Sequence, residues 1–376
     1  MSAPSEPPPR RRAGPLRKLL LVLGASLAAL CLAEGGASLA ESVRSAGLLR
    51  DLSEQSHSRY DPELGWAHDP GSVHPDLYGP GRTLTINGQG LRGGEGYSVA
   101  VPPDQRRVLC LGDSFTLGYG VGDDDTFAAR LGALCDGLQT VNMGQGGYGL
   151  DQAYLWYARD GDALEADVVL LSFIDADFYR MQKEIFSGYP KPRLRVEDGE
   201  LVVGNVPVPQ TFGEFAAQRQ WSAFLDGLAL TRLARPTGSA PIIQRTPPEP
   251  DMTEVEALLL FELAETLIAE LQALCEARGR QLVLAYIPTK QVLYLRNSTR
   301  IHRWAGRFAA ERELPYIDLT PVFEAFEPAA VQGLFLPDNH FDVAGNALLA
   351  QGLLDGLREV WPDVVPCEAA AAVATP

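Results

Sequence analysis

Basic residues and cysteine are both scarce in this chain, and each shortage closes off a class of function. Its 376 residues carry 32 Lys and Arg against 48 Asp and Glu, a formal net charge of -16. That balance offers no basic groove for a phosphate backbone and argues against a nucleic-acid partner. It fits a neutral or cationic ligand, and equally plain solubility. A P-loop lysine, a Cys-x-x-Cys pair and a His-Glu-x-x-His helix are all missing, so no nucleotide, metal or other cofactor is called for. Asp338, His340 and Asp342 come nearest to a metal cluster, and nothing elsewhere completes it. The 5 cysteines are scattered: Cys31 in an N-terminal apolar run, Cys110 in a strand, Cys135 and Cys275 in helices, Cys367 in the tail. They suggest no disulfide framework, and buried single cysteines act as small hydrophobes.

What is present is an alternation of strands and helices. At 46% hydrophobic the chain can bury a sizeable core, and its length permits one large domain or two. Arg106 to Leu111, Thr140 to Asn142, Val168 to Phe173, Gln281 to Ile287 and Pro315 to Leu319 read as strands. Helices fill the intervals. One starts at the acidic Asp123-Asp124-Asp125, suited to the helix dipole, and another opens at Asp151. A long one follows the capping box Thr253-Glu254-Val255-Glu256 and stops at Gly279. Two more cover Thr299 to Glu313 and Asp342 to Val360. The pattern predicts an α/β fold, a parallel sheet between two helix layers. An insertion at about 180–250 breaks it. There Asp198-Gly199 marks a hairpin, and prolines surround a helical piece near Phe215 to Leu233. A lid, an acceptor-binding surface and a plain surface elaboration all fit.

The stretch Val108 to Thr116 carries the most chemistry. An apolar strand runs to Gly112, which allows a sharp turn, and presents Ser114 where open α/β sheets place their reactive groups. A serine hydroxyl needs an imidazole to take its proton, and the imidazole needs a carboxylate to hold its tautomer. Of the 5 histidines, His57, His68 and His74 lie in a polar stretch before the core, and His302 on a helix face beside Arg300 and Arg303. Only His340 lies in a loop between a strand-like segment and the final helix, with Asp338 two residues before it. The bland alternative makes Asp338 a helix cap and His340 a surface residue.

These residues resemble the blocks of the SGNH, or GDSL-type, serine hydrolases, over most of the chain after about residue 60. Gly112-Asp113-Ser114-Phe115 is similar to the first block, Asn142-Met143-Gly144-Gln145-Gly146-Gly147 to the second, and Asp338 with His340 to the last. The Asp-x-His spacing, in place of Asp-x-x-His, is similar to the membrane-anchored, polysaccharide O-acetylation branch. The resemblance implies a three-layer α/β/α fold with flavodoxin-like strand order. It also implies Ser114 as nucleophile, His340 as base, Asp338 as its orienting partner, and the amides of Ser114 and Gly147 as oxyanion donors. The third block departs. Ile174-Asp175-Ala176-Asp177 puts Ala176 where that family has an oxyanion-binding asparagine. Either another donor serves, with Asn339 and Gln145 the nearest, or turnover is slow, or the chain binds without turnover.

At the amino terminus Arg10-Arg11-Arg12, Arg17 and Lys18 precede the apolar run Leu19 to Ala33. Counting on to Ala40 reaches the length of a span, and the basic side is expected in the cytoplasm. The division expected is a basic N-terminus (1–18), a signal-anchor helix (19–40), a connecting region (41–105), a hydrolase-like domain (106–362) and a disordered tail (363–376). Cleavage after Ser38-Leu39-Ala40 is the rival; either way the domain lies outside the cytoplasm. The function expected is hydrolysis of an O-acyl ester, with an acetylated carbohydrate or small molecule as substrate. Acyl transfer to a polysaccharide and carbohydrate binding alone are the alternatives. Trp66, Tyr119, Tyr148, Trp156 and Tyr157 are candidates for a sugar platform.

Overall fold

A computed structural model of the protein describes residues 14–48, 57–187, 189–210, 252–296, 298–362 and 367. The helical piece expected near Phe215 to Leu233 lies outside the described residues. The chain divides into two compact units, Met1–Leu52 with Ala216–Ala240, and Ser53–Phe215 with Pro241–Pro376. The first contributes helix α1, Pro15–Leu48. Among the described residues no helix is long and apolar enough to cross a membrane, so the expected anchor finds no support here. Its apolar run is about fifteen residues against the roughly twenty that a bilayer needs, and Glu34-Gly35-Gly36 follows.

The second unit is built on the alternation read above. Strands β5 (Arg106–Gly112), β6 (Leu138–Gly144), β7 (Val168–Phe173), β12 (Gln281–Tyr286) and β13 (Tyr316–Asp318) form one sheet, ordered β13-β12-β7-β5-β6. Every neighbouring pair is parallel. Numbered among themselves, these strands run 2-1-3-4-5, the flavodoxin-like order, whose crevice opens where the order reverses, between β5 and β7. All of β7 is buried, as a central strand covered on both faces must be. One face is packed by Leu109, Leu111, Leu171, Leu284 and the helices α4 (Leu150–Arg159) and α6 (Glu254–Ala277). The other is packed by Val108, Cys110, Leu170, Val283 and the helices α3 (Phe127–Ala133) and α11 (Val343–Val360). Short helices α2 (Ser114–Leu117) and α5 (Asp175–Met181) start directly beyond β5 and β7. After β12 come α7 (Lys290–Leu295) and α8 (Arg300–Glu311); α9 (Thr320–Glu324) and α10 (Pro328–Gln332) follow β13.

The capping box holds, with Thr253 N donating to Glu256 Oε2 at 2.8 Å and Glu256 N to Thr253 Oγ1 at 3.2 Å. The hairpin forms as β10 (Arg193–Glu197) against β11 (Glu200–Gly204), with Asp198 and Gly199 at positive φ (53° and 84°). Small β8 (Ile185–Phe186) and β9 (Tyr189–Pro190) precede it.

Residues 58–92 do more than connect. β1 (Ser58–Asp61) pairs with β2 (Gly65–His68), and β3 (Val73–His74) with β4 (Leu84–Thr85). This arch sinks Leu64, Trp66 and Leu91 into the core. His57 and His68, expected in polar surroundings, are buried with it. Three further expectations are corrected. Cys135 and Cys367 form a disulfide across 232 residues, which spacing could not reveal because only folding brings α3 beside the end of α11. Cys367 is therefore fixed, whereas a disordered tail was expected there. Trp66, Tyr148, Trp156 and Tyr157 are buried core residues, so they form no sugar platform.

Candidate active site

Ser114 opens α2 at the reversal point of the sheet. Asp113 caps that helix, its Oδ1 accepting from Phe115 N at 2.8 Å. This fixes the strand-to-helix corner on which the serine sits and leaves the Ser114 N–H, as the first of the helix, with no intrahelical acceptor. Thr116 Oγ1 and Ser172 Oγ meet at 2.7 Å, tying α2 to β7. Asn142 also works behind the serine. Its Nδ2 donates to Thr116 O at 2.8 Å and its Oδ1 accepts from Gly144 N at 2.9 Å. A Cβ at Gly144 would lie 2.0 Å from Leu117 N; only glycine lets β6 and α2 approach so closely.

The loop bearing the histidine is a tight turn. Asn339 N donates to Leu336 O at 3.0 Å and Leu336 N to His340 O at 2.8 Å. Pro337 and Asp338 form the corner, and Asn339 takes the left-handed φ of 71° that asparagine tolerates. His340 Nε2 lies 2.8 Å from Ser114 Oγ, although the residues are 226 apart in sequence. His340 Nδ1 lies 3.4 Å from Asp338 Oδ1 but is not aligned for a hydrogen bond; Asp338 instead accepts from the His340 backbone N–H at 3.2 Å. The carboxylate is therefore an electrostatic neighbour of the ring and half exposed. Burial, the largest single effect on Asp338, pushes its carboxyl upward. The nearby His340 ring and its backbone N–H outweigh that and leave it below the usual carboxylate range. The bland alternative fails at the cap, because Asp342, not Asp338, caps α11 through Gly345 N at 2.8 Å.

Around this pair, Tyr119 lies over the His340 ring with centroids 4.6 Å apart, and Phe115 flanks it at 5.0 Å. Gly147 faces Phe186, whose Cε1 would be 2.6 Å from a Cβ there; with φ 78° the position needs glycine twice over. Of the substitute donors for Ala176, Gln145 has its Nε2 on Ser58 Oγ at 3.2 Å, committed to the arch, and Asn339 shapes the turn through its backbone.

The sequence reading missed the arginines. Arg92, almost fully buried, donates to the carbonyls of Gly118 and Val121 at 2.6 Å each and pairs with Asp123 at 3.2 Å. It thereby fastens the loop after α2. Arg180 bonds Asp113 and Asp177, at 2.8 and 2.6 Å. The spacing of Asp177 and Arg180, three apart on a helix, was the available signal. A second His–Asp pair, His302 Nε2 and Asp318 Oδ2 at 2.7 Å, is stacked on Tyr286 and is separate from the serine's own histidine. Among the described residues no cluster of His, Cys, Asp or Glu could hold a metal.

No family model and no curated protein matches the chain. Solved structures do. A member of the lipolytic protein G-D-S-L family from Veillonella parvula is 14% identical, with 69% of this chain and 99% of that chain covered and a TM-score of 0.36. An acetylxylan esterase from Geobacillus stearothermophilus is 15% identical over 71% of this chain and 97% of that one, TM-score 0.39. A two-domain esterase active on acetylated mannans is 16% identical over 72% of this chain and 53% of its own length, TM-score 0.38. At such values the reading of the site rests on its own geometry.

Proposed function

We propose that this chain is a serine esterase of the SGNH/GDSL type that removes a short acyl group, acetyl foremost, from a carbohydrate or small alcohol. The observation that carries the reading is the 2.8 Å approach of His340 Nε2 to Ser114 Oγ, at the one crevice the sheet order creates. Ser114 Oγ attacks the ester carbonyl carbon while His340 Nε2 takes its proton. The oxyanion that forms is met by the amides of Ser114 and Gly147. Collapse breaks the ester C–O bond, and His340 returns the proton to the departing alcohol. Water repeats the sequence on the acyl-enzyme, releasing the acid and free Ser114. Asp338 stabilises the imidazolium by charge.

Several observations support the finer parts. Phe186 packed against Gly147, and Leu336 2.2 Å from where a Gly120 Cβ would stand, leave little room beside these two glycines, which supports a small acyl group. A disulfide belongs to oxidising compartments, and Cys135–Cys367 therefore favours an extracytoplasmic domain. Membrane anchoring at 19–40 rests on the sequence alone, on the basic cluster and apolar run.

The test is labelling with a fluorophosphonate, followed by turnover of aryl acetates and acetylated oligosaccharides. Wild type should be labelled stoichiometrically and Ser114→Ala not at all. An unlabelled wild type would leave the non-catalytic, carbohydrate-binding alternative. Acetyl appearing on an added oligosaccharide faster than acetate is released would turn the reading to acyl transfer.

A further inference from the structure

Ala176 leaves the third block without its side-chain donor, yet α5 carries a cation one turn further on the same face, since residues four apart on a helix are neighbours. That cation, Arg180, joins three segments near the site through one nitrogen. Its Nη1 lies 2.8 Å from Asp113 Oδ2, 2.6 Å from Asp177 Oδ1 and 2.9 Å from the carbonyl of Tyr148. Asp113 is the residue that caps α2 and precedes Ser114. Tyr148 directly follows Gly147. Asp177 holds the start of α5 through Ile174 N at 3.0 Å. The guanidinium also lies over Phe186, 5.0 Å from its centroid, and the Arg180 carbonyl accepts from Lys191 Nζ at 3.2 Å.

We infer that Arg180 is a positioning residue that sets the spacing between the Ser114 and Gly147 amides, doing by placement what the missing asparagine side chain does by direct donation. The inference rests on the esterase reading above. Both carboxylates that Arg180 touches are almost fully buried. Desolvation, then the charge of Asp113, pushes the Asp177 carboxyl well above its ordinary range, so two acids share this cation. Without it, Asp113 would keep its bonds from Phe115 N and Ser114 Oγ but lose its cation, and a buried carboxylate without a counter-charge moves toward solvent or takes up a proton. Either response disturbs the cap on which the serine sits. A displacement of about 1 Å in such a site costs on the order of a hundredfold in rate.

The experiment measures kcat and KM for an aryl acetate, with active sites counted by fluorophosphonate labelling. Arg180→Met should lose about a hundredfold in kcat per labelled serine, with KM within about threefold. A purely structural role would lower the labelled fraction and leave the rate of each labelled site unchanged, and that result would overturn the inference. Should Arg180→Met not fold, Arg180→Lys takes its place. The shorter ammonium keeps the charge but does not span the same acceptors, and a loss of about tenfold is expected; full wild-type kcat per site would overturn the inference. The absence of Ser114-dependent labelling in wild type would sink the esterase reading instead, so the two failures are told apart.

Discussion

At the residue scale the proposed base and its carboxylate are unequal partners. His340 meets the serine directly, whereas Asp338 is 42% exposed and misaligned with Nδ1. His340→Ala should therefore cost nearly as much kcat as Ser114→Ala, and Asp338→Asn only about ten- to a hundredfold, well short of the roughly 10⁴ seen where the aspartate is buried and bonded. Steady-state kinetics on the three variants checks the order, and equal losses for His340 and Asp338 would contradict it. That Ser114, His340 and Asp338 come together was legible in the sequence, because a serine nucleophile, its base and a carboxylate have fixed chemical requirements. The pairing of Arg180 with Asp113 was not, because a cation serving two carboxylates becomes visible only when residues 67 apart in sequence are brought to 2.8 Å.

Among the elements, the arch of β1 to β4 holds three histidines, His57 with His68 and His74, at ring-centroid distances of 5.5 and 6.1 Å. Burial above all, then the neighbouring cations, lowers His57 to about 4 and His68 to about 3, from 6.5. The unfolded chain thus takes up these protons before the folded one. Stability is complete above pH 6.5 and is lost as pH falls toward those folded values, at about 2 kcal/mol for each histidine by pH 5. Thermal unfolding followed from pH 7.5 to pH 5 should show a falling midpoint, with a shallower fall in His57→Phe. A midpoint independent of pH, with no difference between the two proteins, is the contrary result. The strands of the main sheet were readable because apolar runs bounded by Gly or Pro admit little else. The arch was not, since its strands are short, rich in polar residues, and ordered by what they cover.

For the whole molecule, the Cys135–Cys367 link joins α3 to the chain beyond α11, closing a loop of more than two hundred residues. Opening such a loop costs about 2–4 kcal/mol of stability. Cys367→Ser, or wild type in dithiothreitol, should melt several degrees lower, and the reductant should do nothing more to the variant. No sequence pattern announced the bridge, because its cysteines are distant, solitary and unlike any framework spacing.

The grip of Arg92 on the carbonyls of Gly118 and Val121 bears on where a working fragment can begin. A recombinant version trimmed to start at Arg106, the first residue of the main sheet, would discard the guanidinium that braces the turn after Ser114. It would also strip Leu64, Trp66 and Leu91 from the core. The shortest fragment that keeps these contacts should therefore start near residue 53, where the larger unit begins.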